Sequence, residues 1–264
     1  MKKHPLFPLL AAASMAATLS ACESSTDVAL LNDAIITADV AASAGDAIAL
    51  SITNMVANEA AATLSNLEAG PTANLNDNAL AYTRTRTCLD ANGVVVAGCT
   101  PMTSVRKIAT SVTMDGTRSG SSADGAKSWT GAVHRVSKDT VTRVFTGSTE
   151  TSRVHADVTT GNDTTTFTEG TFSRKVIEAA LDSVKQVTWN VPRSTNPWPV
   201  SGSIKRVANV KVTVTKGDRT ETRDVVRTIT VTFPPDAQGN VVMTINGKTC
   251  NLNLVTHAVT ACQA

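Results

Sequence analysis

Two long runs of alternating apolar and polar residues, 203–215 and 219–233, constrain the fold more than any other feature of this chain. A Lys-Gly-Asp turn at 216–218 joins them. In the first run the apolar residues Ile204, Ala208, Val210, Val212 and Val214 share one face, and in the second run Val225, Ile229, Val231 and Phe233 do. The opposite face is polar and contains Lys205, Asn209, Lys211 and Thr213 in the first run and Thr228, Thr230 and Thr232 in the second. A period of two with one polar face predicts an antiparallel sheet that buries its other face.

From Ala79 onward the chain is rich in Thr and Val, whose β-branched side chains favour extended backbone. Asn246-Gly247 and the turn at 90–93 each separate two segments of this kind and predict hairpins. Further strands are predicted near 103–114, 127–137, 140–157, 164–175 and 184–191. Residues 176–185 fit a short helix as well as a strand, and their periodicity does not decide between the two.

The chain before residue 79 has a helical pattern instead. Apolar residues recur at intervals of three to four, at Val28, Leu31, Ile35 and Ala38, and again after Gly45 at Ile48, Ile52 and Met55. Asp27 and Asp46 stand where helix N-caps are expected. Gly70-Pro71 and the polar residues 74–78 then mark a linker.

The length of the predicted strands indicates curvature. The two alternating runs contain 13 and 15 residues, and long twisted antiparallel strands coil toward a barrel. We therefore expect an α+β fold that is mainly β, in which an N-terminal helical segment packs on a strongly curved, half-barrel-like antiparallel meander of about ten strands. A two-sheet β-sandwich is the alternative.

The first residues have the organisation of a signal peptide. Lys2 and Lys3 precede an apolar stretch from Leu6 to Leu19, which is too short to span a bilayer. Leu19-Ser20-Ala21-Cys22 follows and resembles the lipobox of bacterial lipoproteins at all four positions. No family is recognised for the remainder of the chain.

The lipoprotein resemblance implies that residues 1–21 are cleaved and that Cys22 is lipidated, which anchors the chain to a membrane. Residues 22–78 are then an acidic anchor and helical segment with a linker, and residues 79–264 a Thr/Val-rich β domain. Because Glu23 rather than Asp follows the cysteine, the resemblance implies the outer membrane of the cell envelope.

The other four cysteines form two sequence-local couples, Cys88 with Cys99 and Cys250 with Cys262. An even number of cysteines in an exported chain predicts disulfides, and among the three possible pairings the local one has the lowest loop-closure entropy. In the predicted last hairpin, Cys250 directly opposes Cys262 across a loop at 255–257. The spacing does not fit a metal site.

Charge is unevenly distributed along the chain. Residues 23–78 contain eight acidic residues and no Lys or Arg, whereas all basic residues except Lys2 and Lys3 follow residue 78. Two interpretations are open. Either the acidic segment packs on the basic body of its own chain, or that body faces an anionic envelope component.

Aromatic residues are only 3% of the chain, too few for the stacking surfaces that bind single-stranded nucleic acid. We therefore expect no nucleic-acid partner. Trp198 stands between two prolines in a segment that is excluded from a sheet interior. It is either a recognition residue on a rigid loop or a plug for one end of the sheet.

Candidate chemistry is sparse. His155 and Asp157 are two positions apart on a predicted strand and so share a face, and His134 lies on another strand. Such a group is a candidate for general acid–base catalysis in a hydrolase, and a solvated polar face is the alternative. No common nucleophile, phosphate-binding or metal motif occurs, and we expect no cofactor.

These patterns together predict a lipid-anchored envelope protein with a non-enzymatic binding or scaffolding role. A curved sheet offers shelter to an apolar ligand, by architectural analogy alone. An envelope hydrolase using His155 and Asp157, or a structural assembly protein, are the alternatives. An unfilled cavity on the concave face would favour ligand carriage, and a filled one a structural role.

Overall fold

The computed structural model describes residues 80–260 except 122–124, 196 and 257, together with single positions between 30 and 55. Within these residues ten strands follow one another: β1 (Leu80–Leu89), β2 (Lys107–Ser121), β3 (Lys127–Thr146), β4 (Thr149–Glu169), β5 (Phe172–Asn190), β6 (Ser201–Lys216), β7 (Arg219–Thr232), β8 (Asn240–Ile245), β9 (Lys248–Asn253) and β10 (Val259–Thr260). Two 3₁₀ turns, Ala97–Cys99 and Met102–Ser104, lie between β1 and β2.

All ten strands belong to one open antiparallel sheet, whose order in space equals their order in sequence. The fold is thus mainly β, as predicted. The β-sandwich alternative is wrong for the part of the chain that the structure describes, because the strands form one sheet rather than two. Among the described residues, β1 and β10 are the two edge strands of this sheet.

The two alternating runs form the strands that their pattern predicts. Strand β6 pairs with β7 across a turn at Gly217, and their predicted apolar residues face the core. The Asn246-Gly247 hairpin is also confirmed, with φ of 47° and 84° at its two turn residues. Glycine favours such positive φ values, and asparagine tolerates them.

Two predictions on the strands differ from the structure, and the open choice at residues 176–185 is decided by it. The breaks expected after residues 137 and 157 are wrong, because β3 continues to Thr146 and β4 to Glu169. The turns lie instead at Gly147 and Gly170, which have positive φ. Residues 176–185 are strand within β5. After the turn at 90–93, a single bridge from Leu89 to Val95 replaces the second arm of the predicted hairpin.

One face of the sheet, here called the inner face, carries the main core. Its buried residues on β5 to β9 include Trp189, Val212, Ile229, Met243 and Leu252. The described positions between 36 and 55 are helical, and several of them belong to the same core, among them Ile36, Val40, Ala44, Ile48 and Met55. Side chains four apart lie on one face of a helix, so these positions meet the sheet together.

The backbone N–H of Leu31 donates a hydrogen bond to Glu221 of β7 at 3.0 Å, which ties this part of the chain to the sheet. The predicted helical segment as a continuous element lies outside the described residues. So do the predicted signal peptide 1–21, Cys22 and the predicted linker up to residue 78.

Cys88 and Cys99 form the predicted disulfide. It borders a second, smaller core that contains Val105, Ile108 and Val141. In the last hairpin Leu252 pairs with Val259, so the predicted register, which pairs Leu252 with Thr260, is wrong by one residue. Cys250 is disulfide-bonded, and Cys262 lies outside the described residues.

Removal of the first disulfide by the double change Cys88→Ala/Cys99→Ala is expected to lower the free energy of unfolding by about 2–3 kcal/mol, since the closed loop is short. Urea denaturation of the oxidised protein and of the variant measures this difference. An unchanged midpoint in the variant would contradict the stabilising role. The β8–β9 hairpin has no part in this core, so Thr249→Ala on its exposed face serves as the control.

Candidate functional site

The inner face of the central strands carries a group of charged and hydroxyl side chains that are shielded from solvent. This group, here called the buried polar cluster, consists of Ser137 and Asp139 on β3, His155, Asp157 and Thr159 on β4, Glu178 and Asp182 on β5, and Arg206 on β6. The sheet register places Asp139 opposite Asp157 and Asp182 opposite Arg206. Neighbouring strands therefore bring these side chains together in the middle of the sheet.

Arg206 holds one end of the cluster. Its guanidinium donates two hydrogen bonds to the Asp182 carboxylate, at 2.6 and 2.8 Å, and two to Glu178 Oε1, at 2.8 and 3.1 Å. All three side chains are almost fully buried. Burial disfavours the charged form of Arg206, but the two carboxylates outweigh it and raise the pKa of the guanidinium. Burial also raises the pKa of Asp182, against the attraction of Arg206.

Asp157 occupies the middle of the cluster without a cationic partner of its own. It accepts hydrogen bonds from the hydroxyls of Ser137 and Thr159. Burial raises the pKa of Asp157, and the neighbouring carboxylates of Asp139 and Asp182 raise it further, while the two hydroxyls act in the opposite direction. The carboxylate is therefore held in a place that favours its neutral form.

Because the pKa of Asp157 is raised in the folded protein, its ionisation at neutral pH destabilises the fold relative to the unfolded chain. That loss disappears as the pH falls through the folded pKa. Asp157→Asn is therefore expected to raise the free energy of unfolding by about 1 kcal/mol at pH 7. Near pH 4, where the unfolded carboxyl is itself half protonated, the gain is expected to be much smaller.

Urea denaturation of both proteins at the two pH values measures this gain. Asp224→Asn on the exposed surface of β7 is the matched control, which should change stability little at either pH. A destabilised Asp157→Asn protein at pH 7 would show that hydrogen bonding to the charged form outweighs burial.

His155 is fully buried beside the cluster. Its Nδ1 lies 3.4 Å from a carboxylate oxygen of Asp139, and its ring meets the indole of Trp189 edge-on at 5.1 Å between centroids. The guanidinium of Arg193 lies over the Trp189 ring at 4.5 Å. His155 is thus enclosed by a carboxylate, an indole and the core rather than opening to solvent.

The structure brings together only two of the three residues of the predicted catalytic group. His155 and Asp157 share the inner face, but His134 is exposed on the opposite face, beside Asp115 of β2. Ser137 bonds Asp157 and not the imidazole of His155, so the cluster contains no Ser–His pair of the kind that activates a nucleophile. Its geometry is that of a buried electrostatic network.

Two small cavities adjoin the buried polar cluster, with volumes of about 10 and 20 Å³. Ser51, one of the described helical residues, lines both. Space of this size holds about one water molecule. An acyl chain or another apolar ligand needs far more room.

Trp198 is half-buried and packs against the main core. Its indole lies against Gly239, where a Cβ would approach it to 3.3 Å. Of the two interpretations of this residue, the packing fits the plug at one end of the sheet.

Sequence reasoning missed most of the buried polar cluster, including Asp139, Glu178, Asp182 and Arg206. A signal was present: Arg206 has the same parity as the apolar residues Ile204 and Ala208. Glu178 and Asp182 likewise share the parity of the buried Val184. A charge on the apolar side of an alternating strand indicates a buried ion pair, because a lone buried charge is strongly unfavourable.

Among the described residues, no group of three or more His, Cys, Asp or Glu side chains is arranged to hold a metal ion. The same part of the chain contains no helix with the length and apolar character needed to cross a membrane. The sequence and the fold match no protein-family model, no curated protein and no solved structure.

Proposed function

We propose that this chain is a bacterial lipoprotein of the cell envelope, anchored through acyl chains on Cys22 at the outer membrane, with a non-enzymatic scaffolding role. The lipobox at residues 19–22 supports the anchor. The Cys88–Cys99 disulfide is consistent with an oxidising compartment outside the cytoplasm.

The packing of the inner face is the observation that carries the scaffolding role. Helical residues such as Ile36 and Ile48 pack directly on the core of β5 to β9. Two cavities at this face hold about one water molecule each. Of the two roles considered from the sequence, a filled face favours a structural body over a carrier of an apolar ligand.

We also infer that the sheet curves around the helical residues as a half-barrel does. Ser51 lines a cavity together with Val112 of β2 and Asp182 of β5. On a flat sheet, strands three positions apart are separated by about 14 Å. Curvature toward the helical residues brings both strands within reach of one small side chain.

The hydrolase alternative is not proposed. It requires His134 to converge with His155 and Asp157, and these residues lie on opposite faces of the sheet. Nucleic acid has no part in the proposal either, and the anionic envelope component is taken up in the next subsection.

Metabolic labelling with a fatty acid tests the anchor. The chain is expected to incorporate label and to fractionate with the outer membrane, and Cys22→Ala is expected to lose both properties completely. Cys88→Ala, which leaves the lipobox intact, is the control and should keep the label. Unlabelled wild-type protein would overturn the proposal.

Mass spectrometry of the purified Cys22→Ala protein, extracted with organic solvent, tests the scaffolding role against ligand carriage. The filled inner face predicts no stoichiometric lipid in the extract. One bound lipid per chain would instead establish a carrier.

A further inference from the structure

The outer face of the sheet, opposite the helical residues, carries a group of exposed lysines around an apolar centre. On β5 the outward positions include Lys175, Ile177, Leu181 and Lys185, and on β6 they include Lys205, Val207 and Lys211. The four lysines with Ile177, Leu181 and Val226 of β7 are here called the lysine strip. Its residues lie on adjacent strands and form one continuous surface.

The apolar residues of the strip are unusually exposed for their type. Leu181 is 45% exposed, Ile177 41% and Val226 57%. The register places Leu181 opposite Val207, and Ile177 opposite Lys211. Exposed apolar residues that adjoin one another and are rimmed by charges mark an interaction surface.

The charge of the strip is of one sign. No outward position of β5 or β6 carries an acidic residue, and the nearest one is Asp224 of β7, opposite Lys211. The described positions of the N-terminal segment carry no acidic residue, and their apolar side chains pack on the inner face. The strip therefore presents basic and apolar groups together to a partner outside the sheet.

We propose that the lysine strip docks on an anionic phospholipid surface. Phosphate headgroups complement the four lysines, and Leu181, Ile177 and Val226 enter the boundary between headgroups and acyl chains, as the apolar face of an interfacial helix does. An acidic polysaccharide offers the same charge but no apolar layer for these three side chains.

The anchor lies within reach of this arrangement, and here the inference rests on the proposed lipidation of Cys22. Leu30 is eight residues after Cys22, and it packs on the sheet beside the contact of Leu31 with Glu221. At full extension eight residues span at most about 29 Å. Glu221 and Arg174 lie opposite the same β6 residue, Val214, and Lys175 adjoins Arg174. The segment between Cys22 and Leu30 therefore joins the sheet close to the lysine strip. Its length at full extension is greater than the thickness of one sheet, about 10 Å.

Because the lipid anchor holds the protein near the bilayer, a low affinity of the lysine strip for phospholipid is sufficient for docking. A surface held near the bilayer by a lipid binds it as an intramolecular event, at a high effective concentration. The result is a body that lies with its sheet along the membrane.

Vesicle sedimentation tests the proposal with the chain from residue 22 onward carrying Cys22→Ala, which keeps every described residue and has no acyl chain. Binding is expected to phosphatidylcholine vesicles that contain phosphatidylglycerol, not to phosphatidylcholine alone, and to weaken with salt. The triple change Lys175→Glu/Lys205→Glu/Lys211→Glu is expected to weaken binding about 100-fold. The control Lys127→Glu/Lys216→Glu/Lys248→Glu has the same net charge, with its changes at strand ends outside the strip, and should bind far more tightly.

Leu181→Ser should also weaken binding to the anionic vesicles. Equal losses in the two triple variants would show attraction to net charge alone and overturn the proposal. So would the absence of vesicle binding, or binding to a soluble acidic polysaccharide that equals the binding to vesicles. Because the tested protein is not acylated, these outcomes are independent of the fatty-acid labelling of Cys22.

Discussion

Replacement of Arg206 by Met is expected to lower the free energy of unfolding by about 3–5 kcal/mol, because it leaves two buried carboxylates without their cation. Arg206 donates four hydrogen bonds to Glu178 and Asp182 on the neighbouring strand. Glu178 is only 5% exposed and Asp182 only 4%, so bulk water recovers little of that loss. Urea denaturation at pH 7 measures the effect.

The pH dependence of the Arg206→Met variant gives an independent check. Without the guanidinium, the pKa values of Glu178 and Asp182 are expected to rise, and a raised carboxyl pKa destabilises the fold above that pKa. The deficit of the variant against the wild-type protein should therefore shrink as the pH falls from 7 to 5. A deficit that stays constant would show that lost packing, not charge, is responsible.

The triple change Glu178→Leu/Asp182→Leu/Arg206→Met is the matched control. It removes both signs of charge and replaces the ion-paired group with apolar side chains, which is often neutral or stabilising in buried sites. We expect the triple variant to be markedly more stable than Arg206→Met alone. If it is equally unstable, the pairing of charges is not what the single change disrupts.

Trp189→Ala is expected to destabilise the protein by a similar amount, about 3–5 kcal/mol, through the cavity that it leaves. The indole is fully buried in the main core, contacts the ring of His155 edge-on and lies under the guanidinium of Arg193. Thermal and urea denaturation measure the loss of stability.

Trp189→Phe separates the volume of the indole from its polar atom. The indole N–H has no hydrogen-bond partner among the described residues, so its removal forfeits no bond. We expect the phenylalanine variant to keep most of the stability that the alanine variant loses. A phenylalanine variant as unstable as the alanine one would contradict a mainly packing role for this side chain.

The sequence predicted best where its alternation was uninterrupted. Strands β6 and β7 have a regular period of two, and the Asn246-Gly247 hairpin has turn residues with positive φ. In both places local interactions are sufficient to specify the structure. The Cys88–Cys99 pairing followed from the low entropy of closing a short loop.

Prediction failed where tertiary contacts outweigh local pattern. Asp139 lies on the buried side of β3, and Glu178 and Asp182 lie on the buried side of β5. In the sequence alone, a carboxylate at such a position suggests a turn or the polar face of a helix, because its partner is not known. Arg206 and His155 come from other strands and are distant in sequence. The burial of these charges depends on neighbours in adjacent strands, and the periodicity of one strand carries no information about those neighbours.

The position of β1 at the edge of the described sheet has a consequence for the association of one copy of this protein with another. Among the described residues only one side of this ten-residue strand is paired, and such an edge is a template to which another chain can add a strand. Arg84 and Arg86 point inward along this edge, and burial already lowers the pKa of both guanidinium groups. Addition of a foreign strand would dehydrate these cations further, so the two arginines disfavour strand addition at this edge.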